Sequence, residues 1–122
     1  MQDIMPPVGA DAQLIQSYGP AGFRIGNASY TTPVLVLPAT TVAWSGELTL
    51  DALTPILESD PATEILLIGT GARHEMVPAE LRQALKARGL GVDTMDTGAA
   101  CRTFNILLGE SRRAAVALLL PV

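Results

Sequence analysis

Cys101 and Arg102 stand side by side in the first turns of a helix-forming stretch, Thr97 to Leu108, and are the residues of this chain with the most obvious reactivity. A helix dipole and an adjacent guanidinium both favour thiolate over thiol, which is a nucleophile's environment. A catalytic thiol also needs a base oriented against it, and the sole histidine, His74, falls on a different loop. With Ala99, Ala100 and Phe104 around it, Cys101 reads more simply as a small buried apolar residue, and His74 as a solvated loop residue. One cysteine and one histidine also leave no intrachain disulfide and no set of zinc ligands. A second use of the same helix start stays open: the amides of Gly98, Ala99 and Ala100, with Arg102 nearby, could hold a small anion, although Asp96 opposes it electrostatically.

Gly69, Thr70 and Gly71 follow an apolar strand and look at first like the start of a dinucleotide fingerprint, with Asp93 at about the distance of a ribose-binding acid. The match then fails. His74 stands at the third glycine position, the next helix begins only near Pro78, and no Gly-Lys-Ser/Thr ending marks a phosphate-cradling loop. The glycines are expected to permit a tight turn at the carboxyl end of a strand, with a pocket wall as the functional alternative. Arg102 and Asn105 are one helical step of three apart, whereas Ala100, Phe104, Leu107 and Leu108 share another side and Ile106 falls away from it. If that edge is covered, Arg102 needs a partner such as Asp96, Asp93 or Glu110; if open, Arg102 and Asn105 are a recognition edge. Trp44 is expected in the core, and Asp51, Glu58, Asp60 and Glu64 form no paired-carboxylate arrangement and read as solvated surface.

The elements that must position these residues follow from the apolar spacing. Leu14 to Tyr18, Phe23 to Ile25 and Ala28 to Tyr30 read as short strands separated by glycine-bearing turns, then Val34 to Leu37 and Val42 to Trp44 as two more. Leu50 to Glu58 looks helical, with Thr49 as its cap and an irregular start, because Pro55 cannot sit inside a regular helix. Ile65 to Ile68 is a buried strand. Pro78 at the first position, Glu80 in the first turn, Leu81 and Leu85 at i and i+4, and Gly89 at the end define a helix. Leu90 to Met95 is a strand, Thr97 caps a helix to about Leu108, and Arg113 to Leu120 is the last strand. A β-meander first half followed by βαβαβ predicts one α/β domain with a mixed sheet over residues 13–122, preceded by a flexible arm at residues 1–12.

Composition excludes several function classes. The chain has 122 residues, 48% hydrophobic and 16% charged, which suits a single packed domain. A net charge of −4, with Arg112 and Arg113 as the only basic doublet, speaks against nucleic-acid binding. The longest apolar run, Ala114 to Leu120, is about a third of what a membrane-spanning helix needs. Asp3 and the prolines Pro6 and Pro7 stand where a secretion signal would carry cations and an apolar run, and no Arg-rich transit peptide is visible, so a cytoplasmic location is expected.

Taken together, Val42-x-Trp44, Glu64 to Gly71, Pro78-x-x-Leu81-Arg82, Met95-x-Thr97-x-Ala99 to Leu107 and Glu110-x-Arg112 resemble the Mth-type domain family of largely uncharacterised small proteins. That family includes a mitochondrial assembly factor of respiratory complex I and an adipogenesis-associated protein. The resemblance implies a three-layer β/β/α fold, no established enzymatic activity and no cofactor. It also implies that Gly69, Gly71, Thr97, Arg102, Thr103 and Asn105, with Thr70 between the glycines, line one region where the strand-end loop meets the second helix. Phe104 replaces the family's usual tyrosine and Ser111 a frequent glycine. The expected function is a non-enzymatic binding or assembly module engaging a protein partner or small anionic ligand in that region. A small enzyme or anion-binding protein using Cys101 and Arg102, and a structural homo-oligomer, are the alternatives.

Overall fold

Three apolar runs that alternate with nothing polar, around Val34, Ile65 and Ala114, have the pattern of strands covered on both faces. In the computed structural model, which describes residues 13–122, they form the middle of a five-stranded sheet. The elements in order are β1 (Ile15–Gly19), β2 (Gly22–Ile25), β3 (Ala28–Tyr30), β4 (Val34–Val36), β5 (Thr41–Ala43), α1 (Thr54–Leu57), β6 (Ile65–Gly69), α2 (Ala79–Ala87), β7 (Gly91–Met95), α3 (Thr97–Gly109) and β8 (Ala114–Leu118). The large sheet has the order β5-β4-β8-β6-β7, and β1-β2-β3 form a separate antiparallel meander. β4 runs antiparallel to β5 and β8, while β6 is parallel to both β7 and β8. The sheet is therefore mixed, as the two halves of the sequence require.

Strand alternation divides the core in two. Leu35, Leu66, Ile68, Ala115 and Ala117 face α1 and α2, where Leu53, Ile56, Leu81, Leu85 and the expected core residue Trp44 pack on them. Val34, Val36, Leu67, Val116 and Leu118 face the other way, against Ala100, Cys101 and Phe104 of α3 and Ile15, Phe23 and Ile25 of the meander. The three layers expected of the fold are present, with α3 sharing the layer of the small sheet.

Several local expectations change at the element ends. The N-cap of α3 is Asp96 and not Thr97; the Asp96 carboxylate accepts from the Ala99 amide at 2.9 Å. Pro78 is the cap of α2 rather than its first helical residue. Thr49 does cap an irregular turn, accepting from the Ala52 amide, and regular helix begins only at Thr54. The last strand is shorter than the apolar run that encodes it. No helix among the described residues is long and apolar enough to cross a membrane. The expected arm at residues 1–12 lies outside the described residues.

Candidate functional site

Gly69 ends β6 where α3 passes over it. A Cβ there would lie 2.9 Å from a Leu118 methyl, 3.0 Å from the Thr97 Cα and 3.1 Å from the Ala100 Cβ, so a side chain at this position would push helix and sheet apart and glycine permits their close approach. Gly71, at φ +104°, then turns the chain back. The junction is closed by Thr97, which is fully buried: its hydroxyl donates to the Leu119 carbonyl at 2.7 Å and accepts from the Gly71 amide at 2.9 Å. Thr70 does similar work in the loop, its hydroxyl lying within bonding distance of the Arg73 and Met95 carbonyls and accepting from the Glu75 amide. Both hydroxyls hold backbone together.

Cys101 is 1% exposed and packs in the core beside Phe104. Burial pushes its thiol up to about 12; Arg102 pulls the other way and Asp96 adds to the rise. The helix-start argument for a thiolate thus loses to desolvation. Of the three amides that could hold an anion at the same helix start, those of Ala99 and Ala100 are taken by Asp96, through its carboxylate and its carbonyl. Arg102 is exposed, and instead of a carboxylate it has the hydroxyl of Tyr18 on β1, to which its Nη1 donates at 2.7 Å.

Asn105 is tied to β1 by a matched pair of bonds. Its side-chain oxygen accepts from the Ile15 amide at 2.9 Å and its nitrogen donates to the Ile15 carbonyl at 2.8 Å. The carboxamide stands in for the peptide group of a neighbouring strand. Thr103 is half-buried, its hydroxyl 3.6 Å from the Met95 sulfur. His74 is exposed and shares a 2.9 Å hydrogen bond with the Thr94 hydroxyl.

An open cavity of about 550 Å³ lies at the carboxyl ends of β6 and β8, lined by Pro33, Thr70, Gly71, Arg73, Glu75 and Leu120 among others. Such crevices beyond strand ends are the usual ligand position in open α/β sheets. Elsewhere, Glu64 is not simply solvated. It bridges Arg112 at 3.1 Å and Arg113 at 3.3 Å, and the Arg112 hydrogen bond, with Arg113 adding to it, holds its carboxyl below the usual value.

Residues 15–119 match the model of a family described as a protein of unknown function, DUF498/DUF598. The chain belongs to that family. It is 38% identical over 122 residues to the NADH dehydrogenase (ubiquinone) 1 alpha subcomplex assembly factor 3 of Danio rerio, covering 97% of this chain and 70% of that protein. Against the protein of the same name from Homo sapiens the identity is 35% over 116 residues, covering 92% of this chain and 63% of that one. The chain thus spans about two thirds of the length of these relatives. A Bordetella pertussis protein solved by solution NMR and described as an Mth938-like domain superposes with a TM-score of 0.78 at 29% identity, covering 99% of this chain and 93% of that chain. The resemblance to Mth-type domains read from the motifs therefore holds.

In this DUF498/DUF598 domain the structure brings Gly69, Thr70, Gly71 and Thr97 together at one junction, of which Thr70 and Gly71 reach the cavity. Arg102, Thr103 and Asn105 lie further along α3, outside the cavity lining, and two of them face β1. Tyr18, Ile15 and Arg73 join the region without any signal in their own sequence neighbourhood. Tyr18 and Ile15 are brought in from 84 and 90 residues away by the packing of the meander on α3.

Proposed function

We propose that this chain is a non-enzymatic assembly module that engages a protein partner during construction of an NADH dehydrogenase complex. The partner surface we assign is the cavity wall at Thr70 and Gly71, at the end of the Gly69 to Gly71 junction, together with the exposed side of α3 at Arg102. The observation that carries the proposal is what the polar side chains of the candidate site do. Thr70, Thr97 and Asn105 bond the backbone of their own chain, and Cys101 is buried, so no acid, base and nucleophile set is assembled among the described residues. The relatives named NADH dehydrogenase (ubiquinone) 1 alpha subcomplex assembly factor 3 supply the process.

The test is genetic and uses the intact chain. In a null strain of the host, native electrophoresis is expected to resolve less fully assembled NADH dehydrogenase and more partial complexes, with wild-type and Cys101→Ala chains restoring it equally. Unchanged complex in the null strain would remove the assembly role. Loss of rescue by a folded Cys101→Ala chain would bring the enzyme alternative back.

A further inference from the structure

We propose that β7 and α2 form a second docking surface, which accepts an extended, glutamate-bearing segment of a partner protein as an added strand. The proposal rests on the reading of the chain as a protein-binding module and names a surface and a partner chemistry which that reading does not. Its first observation is an open sheet edge. β7 pairs only with β6, through Gly91, Asp93 and Met95: the Gly91 amide donates to the Glu64 carbonyl at 3.0 Å and the Met95 carbonyl accepts from the Thr70 amide at 2.9 Å. In a parallel pair the intervening residues turn their backbone groups the other way. The amides and carbonyls of Val92 and Thr94 therefore point outward, with no partner among the described residues.

The other edges are guarded. β3 and β5 are three residues each, and β1 is sealed at Ile15 by Asn105. Short or covered edges are how folded proteins avoid unwanted strand addition. β7 is five residues long, as β1 is, but no side chain among the described residues bonds its outward amides and carbonyls, and His74 reaches only the Thr94 hydroxyl.

The second observation is the groove beside that edge. A cleft of about 550 Å³ runs between α2 and β7, with Leu90 and Val92 among its apolar lining and Arg82 and Lys86 among its polar residues. Neither cation forms a salt bridge among the described residues, and the acidic residue of α2, Glu80, lines a different depression beside Leu48 to Leu50. Arg82 and Lys86 are four residues apart on one helix face, about 6 Å along the axis. Side chains on one face of an extended strand repeat every two residues, about 6.6 Å. Glutamates at alternate positions of an added strand thus match both cations in step, while their methylenes cover the half-buried Val92. Strand alternation places Asp93 on the opposite face from Val92, so neutral residues suit the positions between the glutamates. The binding mode is strand addition, with main-chain bonds supplying attachment and alternate side chains supplying selectivity.

The probe is an eight-residue peptide alternating threonine and glutamate, titrated into the isotope-labelled full chain to about 1 mM. Amide shift changes centred on Leu90 to Thr94 and on α2 are expected, with slower hydrogen exchange at Val92 and Thr94. Arg82→Glu combined with Lys86→Glu, both on the exposed side of α2, should weaken binding about tenfold with the remaining spectrum unchanged. Of two peptides N-methylated at alternate amides, one should lose binding and the other keep it, since only one set of amides can face β7. The proposal is overturned if Val92 and Thr94 do not respond at the highest concentration, or if the shifts fall at Gly69 to Gly71 and Arg102. It is equally overturned if the chain alone protects those amides as its own concentration rises, which would make a second copy the occupant. None of these outcomes decides the assembly role, which the null strain tests separately.

Discussion

The start of α3 and the edge of β7 use polar groups in opposite ways. Around α3 most of the polar side chains serve the fold: Thr97 joins Gly71 to Leu119, Asn105 completes the hydrogen bonding of Ile15, and Asp96 caps its own helix. Along β7 the unsatisfied groups belong to the backbone of residues with unremarkable side chains, and the nearby cations Arg82 and Lys86 carry no structural pairing among the described residues. An unusual polar residue inside an apolar helix is thus no guide to a reactive site, because closing a three-layer fold also needs polar connectors. A free surface is better recognised by hydrogen-bonding capacity that the fold leaves over.

The sharpest way to break this contrast is at Thr97. Thr97→Val keeps the shape and removes both bonds, leaving the buried Gly71 amide and the Leu119 carbonyl unsatisfied, and should cost about 3 kcal/mol in urea denaturation. Thr97→Ser should keep most of that stability. If Val and Ser variants were equally stable, Thr97 would not be the connector between Gly71 and Leu119. Asn105→Ala should cost less, about 1–2 kcal/mol, because its half-buried site lets water reach the Ile15 groups. Its particular sign is faster hydrogen exchange at the Ile15 amide, and an unchanged rate would show that β1 is sealed by something else.

How far the fold was legible follows from the same contrast. β4, β6 and β8 were readable because strands covered on both faces write continuous apolar runs, and α2 because Pro78 and Gly89 mark its ends. The cap of α3 is ambiguous by one residue in the sequence since Asp96 and Thr97 are both good caps; the choice is made by Gly71 and Leu119, which need the threonine hydroxyl and lie in other elements. The partners of Arg102, Asn105 and Glu64 lie 84, 90 and about 48 residues away, so no local spacing could reveal them. The open edge of β7 was invisible for a related reason. Whether a strand is central or outermost depends on the order of the whole sheet, which its own residues do not encode.

Cys101 gives a smaller effect with a definite sign. Its thiol is raised from 9.0 to about 12 in the fold, so the unfolded chain ionises first as pH rises. The stability associated with the neutral thiol is complete below pH 9, and is lost progressively as pH rises toward about 12, amounting to about 1 kcal/mol by pH 10. Urea midpoints compared between pH 8 and pH 10 should therefore fall more for the wild-type chain than for Cys101→Ala. Equal slopes would mean that the thiol is not held in an apolar site.

The smallest expected effect is the one that most sharpens the comparison. Arg82→Glu with Lys86→Glu should change stability by no more than about 0.5 kcal/mol, because exposed charges without partners contribute little to folding. At Thr97 and Asn105, by contrast, any loss of binding would be inseparable from the loss of stability. The two cations beside β7 allow the separation: a folded, equally stable chain that has lost affinity for an acidic strand can have lost it only at the surface. A large destabilisation would instead place Arg82 and Lys86 among the connectors, and the distinction between the two regions would collapse.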